Sequence, residues 1–172
     1  MHDLTYGPPG QTRPAGEDWS VDCPGFRRFE RTVVIGHGES DWVSAAEAVL
    51  RWGIKRRSGF RVTPCDGADE RVSAGARYRI TAGWGPFAVQ EPVRVVAVVD
   101  TDSRCGFAYG TQPGHPVSGE EAFIVHRNVD GTVFFTLRSL TRPASSGFWR
   151  QVFPLLLVAQ RFFRRRYLRA LG

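Results

Sequence analysis

Acidic residues are missing from the last quarter of this sequence: Gly131 to Gly172 holds eight arginines and no Asp or Glu. The chain carries 23 Lys plus Arg against 17 Asp plus Glu, a formal charge of +6. The other 15 cations therefore face all 17 acids upstream, leaving residues 1–130 at −2. A body that is basic throughout is excluded; a basic C-terminal end is not. Lysine is almost absent, since Lys55 is the only one and the remaining 22 cations are Arg. Met1 is the only methionine. A GC-rich genome produces this skew, so abundant Arg is not by itself evidence of phosphate recognition. Three cysteines (Cys23, Cys65, Cys105), widely spaced and without a CxxC pair, exclude a disulfide framework and give no support for structural zinc. They read as reduced thiols of a cytoplasmic protein. The longest apolar run, Val152 to Ala159, is eight residues against the ~20 that a spanning helix needs. No apolar stretch near the N-terminus resembles a secretory signal.

What is present fits one domain: 172 residues, 42% hydrophobic and 23% charged. Residues 1–25, rich in Pro and Gly, read as an irregular leader able to dock through Tyr6 and Trp19, and 26–172 as a single domain. His2 belongs to that leader. A first strand over Phe29–Ile35 ends at Gly36-His37-Gly38. Ser40, as N-cap, then opens an amphipathic helix with Trp42, Ala45, Ala46, Val49, Leu50, Gly53 and Ile54 along one face. Lys55, Arg56 and Arg57 fall at its negative end, and Gly59 closes it. From Phe60 to Thr141 the pattern is that of strands: Phe60–Thr63, Ala76–Trp84, Phe87–Val99, Arg104–Thr111, Glu120–Arg127 and Thr132–Thr141. No helical stretch interrupts them, which predicts an antiparallel meander. Phe148–Leu171 is helical in period, with Pro154 as a kink or a first turn and Val152, Leu155, Leu156, Ala159, Phe163 and Tyr167 as its buried stripe. The predicted fold is α+β, a curved antiparallel sheet wrapped around a long C-terminal helix, the helix-grip arrangement. Gly83, Gly85, Gly106 and Gly110 are candidates for the bends.

The segment Gly106-Phe-Ala-Tyr-Gly-Thr-Gln-Pro-Gly-His-Pro-Val-Ser-Gly-Glu-Glu-Ala-Phe123 resembles the signature of an uncharacterised domain-of-unknown-function family of actinobacteria and plants. Leu50-Arg51-Trp52, Arg57-Ser58-Gly59 and the terminal Arg166-Tyr-Leu-Arg-Ala-Leu171 are similar to it as well. The resemblance spans roughly residues 27–171. It implies a layout similar to the START-like ligand-binding superfamily, and it supplies no catalytic residues.

The richest chemistry lies between Tyr109 and Glu121, where a phenol, the Thr111 and Ser118 hydroxyls, the His115 imidazole and two carboxylates gather in a Pro- and Gly-rich connection. Strand alternation sends Glu120 and Glu121 to opposite faces. With Phe123 and Val125 on its face, Glu121 would border an apolar pocket, where desolvation favours a general acid or base. A rigid loop held by carboxylate-to-amide bonds explains the same residues without function. His37 and His126 read as a solvated loop residue and a hydrogen-bonded strand residue. No spacing suits a metal, and no glycine pair completes a nucleotide-binding loop, so neither metal nor cofactor is expected.

These readings predict a cavity between sheet and C-terminal helix that takes a small hydrophobic or amphipathic molecule. Tyr109, Thr111, His115 and Glu121 would be its polar contacts, and Trp42, Trp84, Phe87, Phe107, Phe135 and Phe153 its lining. One alternative is a cofactor-independent acid–base enzyme (a cyclase, dehydratase or isomerase) using Glu121 or His115. Another is contact with an anionic membrane through Arg161, Arg164, Arg165, Arg166 and Arg169. A single basic helix without a recognition motif is poor support for nucleic acid.

Overall fold

In the computed structural model, which describes residues 3–172, the elements run β1 (Arg27–His37), α1 (Glu39–Leu50), α2 (Gly53–Arg57), β2 (Arg61–Pro64), β3 (Arg77–Ala82), β4 (Val89–Asp100), β5 (Arg104–Thr111), β6 (Val117–Arg127), β7 (Thr132–Pro143), α3 (Phe148–Gln151) and α4 (Phe153–Tyr167). The seven strands form one antiparallel sheet in the order β1-β7-β6-β5-β4-β3-β2. Five successive connections join neighbours, and β1 completes the far edge beside β7. The fold is α+β with a C-terminal helix, as the strand-rich middle of the sequence predicts. Among the described residues no helix is long and apolar enough to cross a membrane. His2 lies outside the described residues.

Strand alternation gives the sheet two unlike faces. On the inner face Phe107 and Tyr109 of β5, Phe123 and Val125 of β6, and Phe135 and Leu137 of β7 are buried with Trp42, Ala45, Val49 and Leu50 of α1. Each large side chain so buried contributes about 1.5–3 kcal/mol. Gly119 must be glycine: its φ is 151°, and a Cβ there would run into the Leu140 carbonyl of β7.

Four local expectations change. The first helix does not run unbroken to Arg57. Trp52 adopts a left-handed conformation at φ 62°, and the chain restarts as α2. The turn is held by what it buries, since the Trp52 ring packs on Phe107 at 4.6 Å and Tyr78 at 4.9 Å between centroids. Ser40 is not the cap either; Gly38 occupies that position, and the Asp41 carboxylate accepts the His37 amide at 2.8 Å. The C-terminal helix breaks at Val152, with Pro154 in the first turn of α4. The predicted stripe holds except at Leu155, which faces solvent with Val158 and Phe162, while Leu156, Phe163 and Tyr167 turn to the sheet. Lastly, the register shifts fall at Val34/Gly36 and Val95/Ala97, not at Gly83, Gly85, Gly106 or Gly110. Gly110 instead leaves room for the Tyr6 ring.

That ring belongs to the leader, which has no helix or strand over residues 3–25 yet lies along the outer face of the sheet. Tyr6, Thr12 and Trp19 are buried there. Glu120 accepts from Tyr6 Oη at 2.6 Å, the Gly10 amide at 2.8 Å, the Thr12 amide at 2.8 Å and the Thr12 hydroxyl. Arg138 donates to the carbonyls of Arg13 at 2.7 Å and Glu17 at 2.8 Å and pairs with Glu30 at 2.6 Å. Arg104 donates to the carbonyls of Pro14 and Gly16 at 2.7 and 2.8 Å. A chain with no ladder of its own thus finds partners for its backbone in three charged side chains.

Candidate functional site

Between the inner face of the sheet and α4 lies a cavity of about 190 Å³. It exists because α4 is held off the strands by long side chains rather than packed on them. Phe163 and Tyr167 reach Phe60 and Phe123, with ring centroids 4.7 and 5.5 Å apart, and Arg164 reaches Ser139 at 2.7 Å. Apolar wall comes from Phe60, Ala82, Val89, Leu156 and Phe163.

The polar end is organised by Lys55. The turn at Trp52 points this residue of α2 inward, where it is 3% exposed. Its Nζ donates to Tyr167 Oη at 2.8 Å and pairs with Glu121 Oε2 at 3.3 Å. Tyr109 Oη donates to the same Glu121 carboxylate. The rings of Phe60 and Tyr167 each stand 4.7 Å from the ammonium, adding cation–π attraction to the ion pair. Burial by itself would push the Lys55 pKa down, but the Tyr109 and Tyr167 phenols and the Glu121 and Glu91 carboxylates together hold it well above the ordinary value. Lys55 is a fixed cation and not a nucleophilic amine.

Glu91 of β4 also lines the cavity, half-buried, and its carboxyl makes no hydrogen bond to another described residue. Burial raises its pKa, with Lys55 opposing and the Glu121 charge adding to the rise. His115 is buried in the connection between β5 and β6, where its Nδ1 accepts the Val117 amide at 3.1 Å. Burial, reinforced by the Lys55 charge, lowers its pKa to about 3. At neutral pH the imidazole is uncharged and, with Nδ1 accepting, its one proton sits on Nε2. Thr111 borders the cavity too, but its hydroxyl is engaged: it accepts the Gly119 amide at 2.9 Å and meets Thr5 Oγ1 of the leader at 2.5 Å.

The structure therefore brings Tyr109, Thr111, His115 and Glu121 to one cavity. The six aromatics expected beside them lie elsewhere. Trp42, Phe107 and Phe135 are buried in the packed core, and Phe153 is buried at the start of α4 away from the lining. Trp84 and Phe87, 84% and 87% exposed, stand on the turn between β3 and β4. For Phe107 and Phe135 the cause is simple: strand parity turns them into the packed core, whereas the cavity sits only where α4 leaves a gap. Arg164 departs from the expected solvated basic face, since its guanidinium lies over Phe29 at 4.1 Å and on the cavity wall. Arg161, Arg165, Arg166 and Arg169 are exposed.

Sequence reasoning missed Lys55, Glu91 and Tyr167. Each had a signal. Lys55 is the one lysine among arginines, and Glu91 shares strand parity with Val93 and Val95, so it is an acid on an apolar face. Tyr167 is the polar-tipped member of an otherwise apolar helix stripe.

The family model described as Domain of unknown function (DUF1990) matches residues 6–170. A UPF0548 protein of Deinococcus radiodurans is 37% identical over 165 residues, covering 89% of this chain and 82% of that protein. A UPF0548 protein of Arabidopsis thaliana is 26% identical over 134 residues, covering 74% of this chain and 63% of the plant protein. Among solved structures, a hypothetical protein of Helicobacter pylori superposes with a TM-score of 0.64 at 8% identity, over 84% of this chain and 85% of that one. Ara h 8.0201 superposes with a TM-score of 0.53 at 10% identity, over 86% and 98%. At such identities the likeness is one of fold, and it is consistent with a helix-grip arrangement.

Proposed function

The chain belongs to the family described as Domain of unknown function (DUF1990), and we propose that this member binds a small amphipathic molecule in the cavity between its sheet and α4. The observation that carries the reading is Lys55, a buried cation that opens on an apolar cavity alongside an unpartnered Glu91 carboxyl. The Glu121 pair and the Tyr167 hydrogen bond offset much of the cost of burying that cation, and the same cluster gives an otherwise apolar cavity one polar end. Phe60, Val89, Leu156 and Phe163 would hold the apolar part of the ligand, and Lys55, Tyr109, Tyr167 and Glu121 its polar head. The volume limits the guest. A cavity of 150 Å³ admits a benzene ring, so about 190 Å³ suits a single ring or a short chain rather than a large lipid.

Native mass spectrometry of the protein as purified tests this reading. A retained molecule of roughly 100–250 Da, lost when Phe163→Trp fills the cavity, is the expected result; a chain free of any adduct that also takes up no small aromatic added to it would overturn it.

A second reading is supported by Glu91. A carboxyl with a raised pKa, beside a fixed cation, is a candidate to move a proton on a bound substrate without a cofactor. Here Glu91 is favoured over His115, whose lowered pKa makes it a weak base near neutral pH. Turnover of a captured molecule that stops in Glu91→Gln while uptake persists would distinguish this activity from simple binding.

A further inference from the structure

Resting on the cavity reading above, we propose that the head group of the bound molecule is a single carboxylate, seated against Tyr167 Oη and Lys55 Nζ. The hydrogen-bond inventory points there. Tyr167 Oη accepts from Lys55 at 2.8 Å, and among the described residues its own proton has no acceptor. A phenol polarised by an ammonium on its oxygen is a strengthened donor. Lys55 carries three protons, of which Tyr167 and Glu121 engage two. The Tyr109 proton is committed to Glu121. The polar end thus presents two spare donors on adjacent atoms, which is the arrangement a carboxylate satisfies.

Charge on the walls leads to the same class. Lys55 of α2 and Arg164 of α4 are the cations, Glu121 of β6 and Glu91 of β4 the acids, and His115 is neutral; Glu120 also borders the cavity, but its carboxylate is turned to the leader on the outer face. Arg164 also keeps a buried Nε proton without a partner. When Glu91 holds its proton the wall is left with one positive charge in excess; burial raises the Glu91 pKa, with the Lys55 charge opposing. An anion then completes the site. A cationic guest would meet Lys55 and Arg164, with Glu91 and the partnerless Gln160 Oε1 free to receive it.

The probes are benzoate, benzamide and benzylamine, sized to the cavity and titrated calorimetrically into the full chain at pH 6. Benzoate is expected to bind at least about 10-fold more tightly than benzamide, with benzylamine weakest. Tyr167→Phe keeps the ring and its packing and removes the hydroxyl alone; it should weaken benzoate about 10-fold, and by more than it weakens benzamide. Glu91→Gln removes the competing negative charge and should tighten benzoate about 3-fold, an effect growing as pH rises to 8. Equal binding of benzoate and benzamide, preference for benzylamine, or a Tyr167→Phe protein with unchanged benzoate affinity would each overturn the carboxylate assignment. If no probe binds while mass spectrometry finds a retained neutral molecule, the carboxylate falls and the cavity reading stands. If neither is seen, both fall.

Discussion

Glu120 and Glu121 are neighbours in sequence and opposites in circumstance. Glu120 faces the outer side of the sheet, where the amides of Gly10 and Thr12, the Thr12 hydroxyl and Tyr6 Oη donate to it from the leader. Arg138 and Arg104 on the same side are likewise spent on leader carbonyls. Glu121 faces the inner side and belongs to a cluster that still has protons to give, at Tyr167 and Lys55, and an acceptor to offer, at Glu91. Charge buried with every valence met fastens two parts of a fold together. Charge buried with valences left open waits for a third body, and only the second arrangement has the properties of a site.

Glu120 is where the outer face has most to lose. Glu120→Ala leaves the leader amides and Tyr6 Oη without their acceptor, so a loss of about 3–5 kcal/mol is expected, read as a melting temperature lower by roughly 10 °C in thermal unfolding. A loss below about 1 kcal/mol would mean the leader is not fastened by this residue.

His115 supplies the next largest effect, through pH. Its folded pKa, about 3, lies below the unfolded value of about 6.5. The neutral ring therefore contributes stability that is fully present above pH 6.5 and lost as pH falls towards 3. Between pH 6.5 and 4 this amounts to ~3 kcal/mol. His115→Gln, compared with the parent by denaturant unfolding at pH 7 and pH 4, should flatten that acid limb; an unchanged slope would place the ring in contact with water.

Lys55 sharpens the contrast between the faces. Lys55→Met removes one partner of a buried pair, but Glu121 borders the cavity and keeps the Tyr109 hydrogen bond. The expected cost is about 1–2 kcal/mol, smaller than at Glu120, and the double variant with Glu121→Gln should recover most of it. Equal costs at Lys55 and Glu120 would mean that the inner cluster is structural as well. The smallest effect belongs to Trp84→Ser and Phe87→Ser, each within about 0.5 kcal/mol, because both rings already stand in water. A large change would reveal a packed partner for that turn.

The site was half legible in sequence. Glu121 could be placed on the inner face by counting residues from Phe123 and Val125, since side-chain alternation along a strand is a local rule. Lys55 could not be placed that way. Continued in ideal helical phase, α1 puts it at a solvated helix end, and one left-handed residue at Trp52 redirects it. Nothing local predicts that residue; the packing of its ring on Phe107 and Tyr78 does. At α4 the first-turn place of Pro154 followed from the chemistry of proline and the buried stripe from helical period, while the exposure of Leu155 followed from what lay beneath.

What the amino-acid order determined alone is the alternation of strands, their antiparallel succession, the amphipathic first helix and the opposed sides of Glu120 and Glu121. Each depends on a period of two or 3.6 residues, and a period needs no distant partner. The tertiary structure decided where emptiness would lie. The gap under α4, the inward turn of Lys55, the partnerless carboxyl of Glu91 and the fastening of the leader all join residues tens of positions apart. Which polar group is satisfied, and which is left open, is settled only when those segments meet.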